Sequence, residues 1–240
     1  MPPTKTLAEP VTTTDARDVA ADAMLSGIQP AAIANLSASW QKRKSAEMQL
    51  MLLEAAINCL TAHGYAGLST QLVAQTAKVS RGTMAHHFPS KMALVAGVVD
   101  YTFYRRMERF LDDFRKSRTL GSAAVAEATD MYWKSVQTRE YAAYLELAVA
   151  ARTAPELNEY FQAAAARYDR LWSEEMVKSF PQWKDRWDEL QLASDFAMAA
   201  HMGLLMSKGP LGDGARLDQV RKLISHVIRL LHSGAIKYPL

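Results

Sequence analysis

The stretch TAKVSRGTMAHHFPSK, residues 76–91, decides the fold of the N-terminal half. Ser69 and Ser80 are each placed to cap a short helix, over residues 70–77 and over residues 81–88. The second helix is expected to end before a proline, because proline disfavours a helical residue ahead of it. Two short helices joined by a three-residue turn predict a helix-turn-helix unit.

The apolar residues of this unit predict which face of the second helix points outward. A small core shared by the two helices is expected from Val73, Ala74, Val79, Met84 and Phe88. The opposite face of the second helix then carries Arg81, Gly82, Ala85 and His86. A helix of this kind reads base edges in the major groove through its N-terminal residues, and its N-terminus favours anions. We therefore interpret His86 and His87 as donors at a DNA surface.

Other chemistry is disfavoured by the same sequence. Neighbouring helical residues point about 100° apart, so the histidine pair is a poor metal site, and a plain solvent-exposed surface is the other alternative. The sequence contains no nucleophile elbow, phosphate loop, HExxH motif or cysteine–histidine arrangement. We predict no catalytic residue, no metal and no cofactor.

Composition and charge agree with a helical DNA-binding protein. Hydrophobic residues make up 49% of the 240 residues, and Cys59 is the single cysteine, which excludes a disulfide framework. Residues 41–92 hold six basic and two acidic side chains, whereas residues 93–240 are nearly neutral. A local basic segment predicts an anion-binding face. Without an apolar run at residues 1–10 or a membrane-length apolar segment, a cytoplasmic protein is expected.

The pattern along the chain predicts an all-α fold. Residues 1–43 are interpreted as a partly flexible arm, residues 44–90 as a three-helix helix-turn-helix DNA-binding domain, and residues 91–240 as a helical ligand-binding and dimerisation domain. The first domain's opening helix is expected from residue 46 and stops at Gly64; a long helix capped by Ser90 opens the C-terminal half. Further helices are expected near 122–137, 140–153, 156–179, 183–207 and 216–232.

The segment AAINCLTAHGYAGLSTQLVAQTAKVSRGTMAHHFPSKMALVAGVVD, residues 55–100, resembles the DNA-binding domain of TetR-family transcriptional regulators, and the match extends over about residues 46–100. The resemblance implies a homodimer with two DNA-binding domains and helical C-terminal domains that bind ligand and dimerise. Two positions depart from the family pattern. Ala85 stands where the recognition helix commonly has a phosphate-contacting tyrosine. Lys78 stands where the turn usually has glycine, and a positive φ is expected there.

The resemblance also implies the residues of the DNA interface. Phosphate contacts fall on Thr83, His87 and Lys91, and base approaches fall on Gln71, Arg81, Gly82 and His86. Ser69, Lys78 and Lys44 complete the predicted interface. Lys44 belongs to the basic triplet at residues 42–44, for which a DNA-contacting arm and an ordinary solvated helix start are equal alternatives.

The C-terminal half carries two further predicted sites. Aromatic and methionine side chains could line an apolar ligand pocket, although each alone also fits an ordinary core: Phe103, Met107, Phe110, Met131, Tyr144, Phe161, Tyr168 and Trp172. The last two long helices could form a four-helix bundle between two copies, with the chain's own core as the alternative. The predicted interface residues are Ala193, Ala197, Ala200, Leu204, Val220, Leu223, Ile224, Val227, Ile228 and Leu231.

Taken together, the sequence predicts a sequence-specific DNA-binding transcriptional regulator. The favoured form is a homodimeric repressor that binds an inverted-repeat operator in double-stranded DNA and is released by a small, largely apolar effector. A transcriptional activator and a ligand-independent DNA-binding protein are the alternatives. No membrane partner is expected.

Overall fold

The computed structural model describes residues 13–116, 121–179, 181–211 and 214–236. Within these ranges all regular structure is helical, which confirms the all-α class. The helices are α1 (Thr13–Gly27), α2 (Ala31–Ala34), α3 (Trp40–Gly67), α4 (Thr70–Thr76), α5 (Arg81–His87), α6 (Lys91–Lys116), α7 (Gly121–Val136), α8 (Arg139–Ala151), α9 (Pro155–Ser179), α10 (Trp187–Met206), α11 (Lys208–Leu211) and α12 (Ala215–Ser233). Short 3-10 turns lie at Asn35–Ser37 and Pro181–Arg186. No described helix is long and apolar enough to cross a membrane.

Helix α3 is longer than the sequence suggested at both ends. It begins at Trp40 rather than at residue 46, so the basic residues 42–44 lie on its first turns and not on an arm before it. An ion pair between Arg43 and Glu47, one turn apart, belongs to this extension. Gly64 has φ 66° and ψ 178°, which breaks the helix where a stop was predicted, and helical turns then resume to Gly67.

The described part of the N-terminal segment packs on the C-terminal half. Helix α1 lies against α6 and α9. Ala21 and Met24 of α1, and Ile28 directly after it, are buried in a cluster with Met107 and Leu111 of α6. Arg115 of α6 forms ion pairs with Asp18 and Asp22 of α1. Residues 1–12, which complete the predicted arm, lie outside the described residues.

One hydrophobic core joins the DNA-binding half to the C-terminal half. It begins with Leu52 and Leu60 of α3, continues through Val95 and Val99 of α6, and reaches Leu147 of α8. Side chains from all of these helices are buried in the same cluster, so α6 is anchored at its N-terminal end in the DNA-binding half. Further along, α6 contacts α7, α8 and α9. Helix α6 therefore passes continuously from one half to the other.

Helices α7, α10 and α12 form a second layer of the C-terminal half. Their shared core contains five of the residues predicted for the dimer interface: Ala193, Leu204, Ile224, Ile228 and Leu231. These side chains are buried within the chain itself, which is the alternative that the sequence left open. Ala197, Ala200, Val220 and Val227 are partly buried against the same core, and Leu223 is 60% exposed.

Candidate nucleic-acid interface and ligand site

Three serines fix the local geometry of the helix-turn-helix unit. Ser69 Oγ accepts a hydrogen bond from Leu72 N at 3.1 Å, and Ser80 Oγ accepts one from Thr83 N at 3.0 Å. Ser90 Oγ accepts a third from the backbone N of residue 93, also at 3.0 Å. Each bond satisfies a backbone N–H that a helix start leaves without a partner. All three predicted caps are thus confirmed.

The predicted shared core of the unit is also present. Val73 and Ala74 of α4 are buried, as are Met84 of α5 and Phe88 directly after it. Val79, in the turn, packs against this cluster. The angle between α4 and α5 is therefore set by apolar contacts on one side of α5, and the other side of α5 is left free.

The turn between α4 and α5 contains the strain that the sequence predicted. Lys78 has φ 55°, and among the described non-glycine residues it is the one with a positive φ. A β-carbon in this region crowds the following carbonyl oxygen, at a cost of about 1–2 kcal/mol. The Lys78 side chain is exposed, three residues before the first residue of α5. A strained residue retained in a turn is consistent with a use for its charge.

The outward face of α5 is exposed to solvent. Arg81, Gly82, Ala85 and His86 are all exposed, as the sequence predicted. A β-carbon added at Gly82 would meet the Ser80 hydroxyl at 3.6 Å, an ordinary contact distance. The chain's own packing therefore does not require glycine at this position. The close approach of an external surface is a physical reason for a glycine at position 82.

The two histidines at the end of α5 differ in their surroundings. Their ring centroids lie 5.0 Å apart with the planes at 75°. His86 is exposed, whereas His87 is partly buried, and its pKa is lowered by burial and by the neighbouring charge of His86. His87 therefore favours the neutral imidazole, which can still donate one hydrogen bond. Among the described residues there is no group of three side chains able to hold a metal.

The remaining predicted DNA contacts have mixed surroundings. Ser69 and Gln71 are exposed at the start of α4, and Thr83 is partly buried with its hydroxyl 2.9 Å from that of Ser80. Lys91 Nζ donates to the Tyr65 carbonyl at 2.9 Å and lies 4.3 Å from the centroid of the Tyr65 ring. Burial lowers the pKa of Lys91. The ammonium group has two further N–H donors for a phosphate.

Lys44 lies away from α5, on the first turns of α3. Its Nζ is 4.4 Å from the centroid of the Trp40 ring, a cation–π distance. Trp40 itself is 63% exposed. An aromatic ring and three basic residues thus share an exposed helix start, which is one of the two alternatives that the sequence left open.

Most residues of the predicted ligand pocket do come together. Rings of Phe103, Tyr144, Phe161 and Tyr168 lie against one another with centroids 5.2–5.8 Å apart. Met107, Phe110 and Trp172 belong to the adjoining cluster beneath α1. Met131 lies elsewhere, in a shallow surface depression beside charged residues of α6 and α7. The aromatic residues therefore form a compact group, and Met131 is not part of it.

The sequence pattern did not identify the buried polar residues of this region. Arg106, Glu140 and His201 are buried, and so is the tyrosine ring of residue 141. Spacing carried a signal for one of them: Arg106 stands three positions after Phe103 and seven after Val99, on the apolar stripe of α6. An arginine on a buried stripe is uncommon, so the position of Arg106 in the sequence already indicates a functional role.

An outward-facing helix that is capped, held by its own core and flanked by basic side chains defines a helix-turn-helix DNA-binding protein. Residues 52–98 match a family model described as bacterial regulatory proteins, tetR family. The chain is 29% identical over 127 residues to the HTH-type transcriptional regulator CymR of Pseudomonas putida, over 53% of this chain and 62% of that relative. It thus spans less than two thirds of the length of CymR.

Solved structures share the fold. A transcriptional regulator from Rhodococcus sp. Rha1 aligns with a TM-score of 0.57 at 19% identity, over 78% of this chain and 96% of its own. A TetR family transcription regulator from Marinobacter aquaeolei VT8 aligns with a TM-score of 0.57 at 16% identity, over 80% and 97%. Residues 52–98 thus match the DNA-binding domain of the tetR family, and the chain shares its fold with a solved TetR family transcription regulator.

Proposed function

We propose that the chain is a homodimeric repressor that binds an inverted-repeat operator and leaves it when a small effector binds in the C-terminal half. The observation that carries the DNA-binding part is the outward face of α5, where Arg81 and Gly82 are exposed at a capped N-terminus. Lys78 lies just before it and His87 at its end, so cations and donors lie on both sides of the exposed face. Phosphate contacts from these flanks would set the register in which Arg81 meets a base.

Exposed apolar residues on α10 and α12 support the dimer. Met198, Met206 and Leu223 are 42%, 64% and 60% exposed in the single chain. Partly buried Ala197 and Val227 lie beside them on the same two helices. Two such faces from two copies would form a four-helix bundle and remove the apolar side chains from water.

DNA binding is tested first, with operator duplexes selected from a random pool and fluorescence anisotropy as the readout. Arg81→Ala should weaken binding to the selected duplex by about 1–3 kcal/mol and bring it closer to binding of random DNA. Arg170→Ala, at an exposed arginine of α9, is the matched control and should leave both affinities unchanged. If Arg81→Ala weakened selected and random DNA equally, Arg81 would contact the backbone and not a base.

A further inference from the structure

Arg106, near the middle of α6, is a buried cation without an anionic partner. It is 8% exposed, its Nε has no hydrogen-bond partner, and no carboxylate of the described residues pairs with it. Its neighbours on α6 differ in this respect. Arg109 pairs with Glu140 at 3.1 Å, and Arg115 pairs with Asp18 and Asp22. The described part of the fold therefore supplies carboxylates to two later arginines of α6 and none to Arg106.

The guanidinium of Arg106 lies over aromatic rings. Its carbon lies 3.9 Å from the centroid of Tyr144 and 4.7 Å from that of Tyr141. Ring faces compensate part of the cost of burying a cation, but they accept none of its N–H bonds. A carboxylate meets a guanidinium in its plane, through paired N–H···O bonds, so the ring contacts and a bound carboxylate are compatible.

Further unpartnered polar atoms lie around Arg106. Its Nε, the hydroxyls of Tyr132 and Tyr141, and His201 Nε2 are all buried without a hydrogen-bond partner among the described residues. The rings of Tyr132 and His201 lie 5.4 Å apart. Buried polar atoms without partners are few in native proteins, and each calls for an explanation. Three of them, the donors on α6, α7 and α8, are explained together by one absent acceptor, whereas His201 Nε2 is itself an acceptor because Nδ1–H donates to the Ala197 carbonyl.

The charge state of the region suits an anion. Burial acts to lower the pKa of Arg106, but the hydroxyls of Tyr132, Tyr168, Tyr144 and Tyr141 act to raise it, and the net direction is upward. Burial raises the pKa of Tyr168 to about 12 and also raises that of Tyr132. The guanidinium is therefore charged and the phenols keep their protons, so every one of these groups offers a donor.

We propose that Arg106, Tyr132 and Tyr141 bind the carboxylate of a small aromatic monocarboxylate, whose ring packs on the cluster of Phe103, Tyr144 and Phe161. The aromatic cluster adjoins the cation, since Phe103 lies 5.8 Å from the Arg106 guanidinium carbon. The ligand thus keeps the largely apolar body predicted from sequence and gains one negative charge. Its role as the effector rests on the proposed function, but its binding does not.

The site is tested by isothermal titration of the full-length protein without DNA, using benzoate and its neutral isostere benzamide as probes. Wild-type protein should bind benzoate at least tenfold more tightly than benzamide. Arg106→Met should lose that preference, whereas Arg170→Met, at an exposed arginine of α9, should retain it. Removing an unpaired buried cation should also raise the melting temperature of the ligand-free protein, which a merely structural arginine would lower.

Two milder variants keep the test decisive if Arg106→Met fails to fold. Arg106→Lys retains the charge but not the planar guanidinium, and Tyr132→Phe removes one hydroxyl while keeping the ring. Each variant should weaken benzoate binding at least threefold. Equal binding of benzoate and benzamide by wild-type protein, or unchanged benzoate affinity in all folded variants, would overturn the site. Benzoate that binds through Arg106 but does not release the selected operator would support the site and refute the proposed effector role.

Discussion

At the scale of single residues, positions that the chain's own packing leaves unexplained indicate function best. Gly82 has space for a β-carbon, Lys78 occupies a backbone region that favours glycine, and Arg106 is buried without an anion. Each would be replaced at little cost, or with a gain in stability, if folding were the whole requirement. The same three positions lie at the proposed DNA surface and the proposed ligand site.

Gly82 gives a prediction in which stability and binding change in opposite directions. Gly82→Ala should raise the free energy of unfolding by about 0.5–1 kcal/mol, because alanine suits a helix better than glycine. The added methyl group should weaken operator binding at least threefold, because it faces outward from α5. Thermal unfolding and anisotropy measure the two effects. Gly209→Ala, in open space on α11, is the control, and an unchanged operator affinity for Gly82→Ala would contradict a close approach of DNA.

His201 gives a prediction about pH. It is fully buried; burial lowers its pKa, against an opposing hydrogen bond in which Nδ1–H donates to the Ala197 carbonyl at 2.7 Å. An unfolded histidine has a pKa near 6.5, so below about pH 6.5 the unfolded chain takes up a proton that the folded chain refuses. Stability should fall as the pH drops from about 6.5 toward the lower folded pKa, and it should not depend on this group above that range.

The variant His201→Asn removes the titration while keeping a donor for Ala197. The drop in melting temperature between pH 7.5 and pH 5.5 should be smaller than in wild type. Part of the drop should remain, because burial also lowers the pKa of His232. His226→Asn, at an exposed histidine of α12, is the control and should leave the drop unchanged. An equal drop in His201→Asn would show that His201 is not responsible.

At the scale of helices, sequence predicts what is encoded locally and fails where two apolar faces compete. Ser69, Ser80 and Ser90 were identified as caps because a cap and its N–H lie within one turn of each other. Which face of α12 packs on the core is not encoded locally in this way. Its apolar residues cover more than one face, and neighbours such as Leu223 and Ile224 point about 100° apart. Only tertiary packing shows that Ile224 faces the core and Leu223 faces solvent.

The polar residues of the proposed ligand site were missed for a related reason. Aromatic residues were recognised by type and spacing, but a missing salt-bridge partner is a property of all elements around Arg106, and no local pattern encodes it. The boundary at residue 43 was likewise drawn from composition. Helix α3 crosses it because Trp40 to Lys44 continue the helix without any breaking residue.

Two adjacent residues of α12 allow the proposed dimer interface and the core to be tested separately. Leu223→Glu places a carboxylate on an exposed face, so the chain should stay folded while the dimer dissociates. Ile224→Glu places it in a site that is 5% exposed, where an unpaired charge costs several kcal/mol, so the melting temperature should fall sharply. Light scattering and circular dichroism distinguish the two. A stable dimer in Leu223→Glu would remove this face from the interface.

At the scale of the whole molecule, α6 connects the proposed ligand site to the DNA-binding half. Its 26 residues span nearly 40 Å at about 1.5 Å per residue. Its first residue follows the end of α5 by four positions, and Arg106 lies sixteen residues into it. A ligand that changes the tilt of α6 would therefore change the separation of the two α5 helices. Operator DNA requires these helices about 34–36 Å apart, or a multiple of this distance, so a few ångströms of misfit would lower affinity.

This coupling is measurable as a distance. Ala62 is exposed on α3, whereas Cys59 is buried, so a nitroxide on Ala62→Cys should report the separation of the two DNA-binding halves in the dimer with little background labelling. Double electron–electron resonance should give a narrow distribution of nitroxide–nitroxide distances with operator bound. The distance should shift by several ångströms when saturating benzoate is added without DNA. The Arg106→Met form of the labelled protein is the control, and its distance distribution should not shift.

Linkage requires that the ligand weaken operator binding by the same factor by which the operator weakens ligand binding. A ligand that binds through Arg106, releases the operator and leaves the distance unchanged would show that the coupling runs through a change other than the tilt of α6.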